Sequence, residues 1–170
     1  EEVERELASM EPDGHGLTFL PFLAGERSPG WAAGARAAVA GLSLRSRPID
    51  ILRAGMEAVA LRFALIHGMI QSAVPGTREV VASGGALLQS HAWTQMVADA
   101  LGRPVRRSAE PEASARGAAL LALEALGAVA RLEDLPAALG EVVEPDPRRS
   151  DLYRRALERQ IHHYRLLVNP

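Results

Sequence analysis

An α/β domain in which helices outnumber short strands is what this sequence predicts, and three observations carry it. Apolar residues recur at alternating spacings of three and four from Ile49 through Leu52, Met56, Val59, Phe63 and Ile66 to Ile70, the period of one long helix. Beyond that stripe, short apolar runs bounded by glycine or proline alternate with helical stretches, which implies strand–helix units and a parallel layer, not a bundle. Hydrophobic residues make up 48% and charged residues 24% of 170 positions, enough for one real core. No internal repeat or low-complexity linker divides the chain, so residues 1–170 are read as one domain.

Residues 1–13 are acidic, with Val3 and Leu7 at helical spacing, and read as the end of a surface helix broken at Asp13-Gly14. Residues 17–23 read as a strand in which Pro21 marks an edge or irregularity. Gly25, Pro29, Gly30, Trp31 and Gly34 then make 24–36 a structured loop, too long for a turn, and 38–44 read as a returning strand. The long helix spans 48–73: Pro48 suits its first turn, Asp50 complements its positive end, and Val74-Pro75-Gly76 closes it. A second stripe (Ile51, Ala54, Ala58, Leu61, Leu65) makes it apolar on two sides and predicts that it is mostly buried. Residues 79–82 read as a buried strand ending in Ser83-Gly84-Gly85. Ser90 caps the next helix, whose inner face carries Trp93, Met96, Val97, Ala100 and Leu101, and Gly102 and Pro104 stop it. A strand over 104–107, a helix over 114–126 closed by Gly127, a brief helix over 132–139, a proline-rich turn at 144–147 and a final helix over 151–167 complete the reading.

Composition excludes several chemistries. The formal net charge is -2, which gives no electrostatic case for nucleic acid or an anionic membrane. All 19 basic residues are arginine, so no P-loop lysine, Schiff base or protein-kinase lysine is available; with no cysteine, disulfides and thiol chemistry are excluded as well. The most apolar stretch, 58–70, carries Arg62 and His67 and falls short of the ~20 residues a bilayer needs, so a cytoplasmic location is expected. The five histidines show no ligand spacing with a third group, and no metal site is expected. No nucleophile motif is present.

Three constellations remain. Ser83-Gly84-Gly85-Ala86 sits at the carboxyl end of a predicted strand and leads into a helix, where open α/β sheets bind ligands; a tight turn with nothing bound is the alternative. Gly25-Glu26-Arg27-Ser28-Pro29 with Trp31 suits either a polyol contact or a loop pinned by Arg27 through carbonyl contacts. Small residues from Ala113 to Ala119 let a helix pack closely against a sheet or a bound ring, with close helix–sheet packing the plainer role. Glu57, polar on an apolar helix with Arg53 one turn earlier, reads as structural.

Taken in order, these segments resemble the C-terminal domain of FGGY carbohydrate kinases. The likeness rests on Phe22-Leu23-Ala24-Gly25-Glu26-Arg27-Ser28-Pro29-Gly30-Trp31, on Ala35-Arg36-Ala37 and Val39-Ala40-Gly41-Leu42, and on Arg53-Ala54-Gly55-Met56-Glu57-Ala58-Val59. Ser83-Gly84-Gly85-Ala86, the run from Trp93 to Val105 and the helix from Glu112 resemble the family's adenosine motif and the helix that closes it. The likeness covers about residues 17–127, with 128–170 as a helical tail. It implies the ribonuclease H-like, actin-like ATPase fold, here its C-terminal lobe in incomplete form with extra C-terminal helices. It further implies ATP and Mg2+, with Gly84, Gly85, Ala86 and Gln89 on the adenosine side and Glu26 and Arg27 in a loop near the substrate. Gln89 stands where relatives often have asparagine or arginine. The implied substrate is a sugar or sugar acid, of gluconate or xylulose type, and the implied partner is the kinase's N-terminal lobe, where the catalytic aspartate and metal ligands would lie. A homodimer is left open. Two other functions compete: a non-catalytic actin-like interaction module, and another phosphotransferase of the same fold, such as an acetate-kinase type.

Overall fold

The structure is a computed structural model that describes residues 1–76 and 79–168. Helix α1 (Glu2–Ser9) buries Leu7 and is followed by strand β1 (Thr18–Leu20), which pairs antiparallel with β2 (Ala38–Ala40), Thr18 opposite Ala40. Helix α2 (Pro48–Ala73) opens on a reciprocal cap in which the Asp50 carboxylate accepts the Arg47 N–H at 2.8 Å. Strand β3 (Val80–Ala82) leads through short α3 (Gly85–Gln89) into α4 (His91–Leu101). Ser90 caps α4 by accepting the Trp93 N–H at 3.0 Å, and Gly102, left-handed at φ 62°, ends it. Strand β4 (Val105–Ser108), helix α5 (Ala113–Ala125), a 3-10 turn (Leu132–Asp134), strand β5 (Leu139–Val143) and helix α6 (Pro147–Leu167) follow.

The second sheet runs β3-β4-β5: β3 is parallel to β4, and β4 is antiparallel to β5, with an irregularity between Arg106 and Ser108. It is a mixed sheet, and that corrects the parallel layer read from the sequence. Residues 132–139 are likewise no helix beyond one 3-10 turn. The segment from Leu139 instead hydrogen-bonds to β4, which lets Val143 bury directly opposite Val105. Helix α6 begins at Pro147, four residues earlier than expected. Asp146 accepts the Arg148 N–H at 2.8 Å, and a proline fits the first helical position after such a cap.

The main core gathers Ala60 and Leu61 from α2, Met96 to Ala98 from α4, Val105, Val143, and Tyr153 and Ala156 from α6. A smaller cluster, Leu20, Phe22 and Ala35 against Tyr164 and Val168, lies under the loop that follows β1. Helix α2 is only half buried, against expectation. Its Ala54, Ala58 and Leu61 face the core together with Arg53 and Glu57, whereas Phe63 and Ile70 from the other stripe stay exposed beside β3. They line an apolar groove of about 300 Å³ with Val80, Val81, Leu87 and Leu101. Among the described residues, no helix is long and apolar enough to cross a membrane.

Candidate functional site

Strand β3 delivers Ser83, Gly84 and Gly85 to an exposed turn, and Ala86 and Gln89 lie exposed on α3 directly after it. The two glycines do different things. Gly84 adopts φ 94° and ψ 140°, a conformation that L side chains avoid, although a Cβ there would meet nothing within 4 Å. Gly85 carries no such backbone demand, and the nearest atom to a Cβ on it is Gln89 Nε2 at 3.9 Å. The turn is thus bent by Gly84 and left open at Gly85. Its back is held rigidly: Thr94 Oγ1 donates to the Leu87 carbonyl at 2.8 Å, and the Arg107 guanidinium donates to the Leu88 carbonyl. Behind it lies the apolar groove, into which His67 also reaches. Burial, reinforced by the positive charge of Arg103, pushes the His67 imidazole below its ordinary value, and its Nε2 has no hydrogen-bond partner among the described residues.

The second candidate, the loop at 24–36, has a tied base and a bare tip. Glu26 is only 4% exposed: its carboxylate accepts from Arg62 of α2 and, at 2.5 Å, from the Tyr164 hydroxyl of α6. Glu26 N–H also donates to the Ala32 carbonyl at 2.9 Å, closing the loop on itself. Arg27 is exposed and makes no hydrogen bond or ion pair among the described residues, so Glu26, not Arg27, does the pinning. Trp31 sits at the tip with a positive φ of 55° and is 75% exposed. Helix α5, the third candidate, buries none of its residues, and a Cβ on Gly117 would meet nothing within 4 Å. Its small residues therefore reach no buried packing, although α5 contacts the 3-10 turn.

No spacing along the chain signals a further polar cluster, which the fold assembles from Asp13, His15 and Glu57, with ligand atoms all within 4.8 Å of one another. Glu57 is 2% exposed and accepts from Arg53 Nε at 2.7 Å, the Asp13 N–H at 3.1 Å, His15 Nε2 at 3.0 Å and the Tyr153 hydroxyl at 3.1 Å. His15 Nδ1 accepts the Leu17 N–H at 2.9 Å, and the Asp13 carboxylate is held by Arg159. Every ligand atom a cation would need is already engaged, so the cluster ties the loop after α1 to α2 and α6 and does not form a metal cradle. Burial, and after it the charge of the Glu57 carboxylate, pushes the Tyr153 hydroxyl above its ordinary value.

This order of elements recurs in solved carbohydrate kinases. The crystal structure of gluconate kinase from Lactobacillus acidophilus superposes with a TM-score of 0.82 at 26% identity, over 97% of this chain and 34% of that one. The chain belongs to the FGGY family of carbohydrate kinases, C-terminal domain, which it matches over residues 1–126. It is 31% identical over 156 residues to xylulose kinase from Staphylococcus epidermidis, covering 90% of this chain and 31% of that protein. Over 117 residues it is 38% identical to glycerol kinase from Citrifermentans bemidjiense, covering 68% and 23% respectively. The chain thus spans less than a third of the length of these two curated relatives.

Proposed function

We propose that the protein acts as an ATP-dependent kinase of a sugar or sugar-acid hydroxyl, of gluconate or xylulose type, and that this chain supplies the adenosine side of its cleft. One observation carries the reading: Gly84-Gly85 forms an exposed turn at the carboxyl end of β3, and space is open where a Gly85 side chain would project. A nucleotide can approach the backbone there, with Ala86 and Gln89 beside it. Phosphoryl transfer asks the protein chiefly for positioning and charge stabilisation. Magnesium accompanies ATP in such transfers, but the residues here do not fit it, because each ligand atom of Asp13, His15 and Glu57 is already hydrogen-bonded within the fold. Metal ligands and general base therefore fall to the rest of the kinase, the N-terminal lobe being the partner this chain requires. A cytoplasmic location accords with that role.

The loop at 24–36 is assigned to the substrate side, with Arg27 and Trp31 at its exposed tip. Gly85→Val in the complete kinase tests the nucleotide side. ATP binding is expected to weaken by roughly 1–3 kcal/mol, the scale of a lost set of fitted contacts, while sugar binding and the thermal melt stay close to wild type. Equal ATP affinity in both folded proteins would reduce Gly84-Gly85 to a plain turn.

A further inference from the structure

We propose that Tyr164, near the end of α6, is a positioning residue for the sugar acceptor, acting through Glu26 and Arg62 to hold the loop at 24–36 in one shape. The acceptor part of this claim rests on the assignment of that loop to the substrate side. The holding itself rests on geometry. Glu26 is buried, and its two oxygens are claimed by different elements: Oε1 by Arg62 from α2, Oε2 by the Tyr164 hydroxyl at 2.5 Å. The Arg62 guanidinium lies 5.2 Å from the Phe22 ring centroid and 5.3 Å from that of Tyr164. Those two rings meet edge to face at 5.7 Å. A cation enclosed this way needs its anion, and the ring faces and hydroxyl together leave Glu26 one place to sit. The other limb of the loop is moulded on the same pair, since a Cβ on Gly30 would land on the Tyr164 hydroxyl and the Glu26 carboxylate.

Above this fixed base, the tip keeps Arg27 unpartnered and Trp31 in the open. A loop that only filled space would have no use for a free guanidinium and a bare indole on so firm a mount. Rigid support under exposed polar and aromatic groups is how a binding loop avoids the entropy of ordering when ligand arrives. The glutamate bond also raises the Tyr164 hydroxyl above its ordinary value, keeping it a donor across the working pH range.

Tyr164→Phe removes the hydroxyl and keeps the ring that faces Arg62. In a Trp93→Phe background, Trp31 becomes the sole indole, because the chain has two tryptophans. Time-resolved anisotropy of the 170-residue chain is then expected to show the fast local component of Trp31 at least doubled in amplitude by Tyr164→Phe. Glu26→Gln should do the same. In the complete kinase, Tyr164→Phe should raise KM for the sugar by roughly five- to twentyfold, the scale of a modestly misplaced contact, with kcat and the KM for ATP within about twofold of wild type. Unchanged Trp31 anisotropy in both variants would overturn the clamp, and a loosened loop with an unmoved sugar KM would overturn the positioning role. If the wild-type complete protein phosphorylated no sugar, the functional reading would fall, and the anisotropy would still decide whether Tyr164 fixes the loop.

Discussion

Glu57 sits on the buried face of α2 with donors from Arg53, Asp13, His15 and Tyr153 around it, and Arg53 itself is 1% exposed. Removing the carboxylate would strand that guanidinium in the core, a loss of about 3–5 kcal/mol for a buried pair broken on one side. Urea unfolding of Glu57→Ala should show a loss on that scale; a change below about 1 kcal/mol would mean that water or rearrangement replaces the carboxylate. Half of this network was legible in the sequence, because Arg53 and Glu57 are four apart on one helix. Asp13 and His15 were not, since a loop more than 40 residues away carries no periodic signal toward them. The glycine turn divides in a similar way. Both glycines were identified, yet only coordinates separate a residue required for its φ from one that leaves space. Gly84→Ala should therefore cost about 1–3 kcal/mol of stability, the range for backbone held in a glycine-only region. Gly85→Ala should leave the melt almost unmoved, and equal losses at both positions would remove the distinction.

At the scale of elements, α2 was legible to the residue because 26 positions of consistent period outweigh any local ambiguity. Strand β5 was not: Leu139-Gly140-Glu141-Val142-Val143 follows Ala137 and Ala138, and only pairing with β4 decides its state. Helix α6 was placed but its purpose was not, because its two anchors reach across the fold. Tyr164 anchors its far end, and Asp99 of α4 its start. Asp99 Oδ1 accepts from the Asp146 N–H at 2.8 Å and from Gln95 Nε2 at 2.9 Å. Oδ2 makes no hydrogen bond and lies 3.9 Å from the Arg149 guanidinium. Burial raises the Asp99 carboxyl above its ordinary value despite these partners. The unfolded chain then ionises at lower pH than the folded one. Stability tied to Asp99 is therefore highest in acid, falls as pH rises through the interval between the two values, and stays low above it. Asp99→Asn keeps an acceptor for Asp146 and carries no charge. Relative to wild type, its urea midpoint should be most favourable at neutral pH, and the advantage should shrink once both proteins are below the ordinary carboxylate range. A constant difference across pH would show that Asp99 does not titrate in the fold.

The whole molecule joins a polar cluster, a tied loop and an exposed glycine turn around its main core, but one face of that core stays uncovered. The edge of β3, with Phe63 and Ile70 beside it, exposes apolar surface that a finished soluble domain would ordinarily bury. In the sequence this showed only as the first of the two apolar stripes on α2, the one through Phe63, Ile66 and Ile70, which is why the helix was expected to be mostly buried. The chain alone should bind anilinonaphthalene sulfonate at this groove, and a polypeptide extended upstream to the length of its relatives should not. Activity divides along the same line. The buried and half-buried carboxylates at the polar cluster and the loop are engaged within the fold: Glu57 by Arg53, Glu26 by Arg62 and Tyr164, Asp13 by Arg159. A base already paired and desolvated within the core cannot meet a substrate in an open cleft. The purified 170-residue chain should therefore release no sugar-dependent ADP above a mock preparation, and adding the remaining part of the kinase as a separate polypeptide should restore turnover. Sugar-dependent ADP from the chain alone would place the base within these residues and overturn the division of labour proposed between the two lobes.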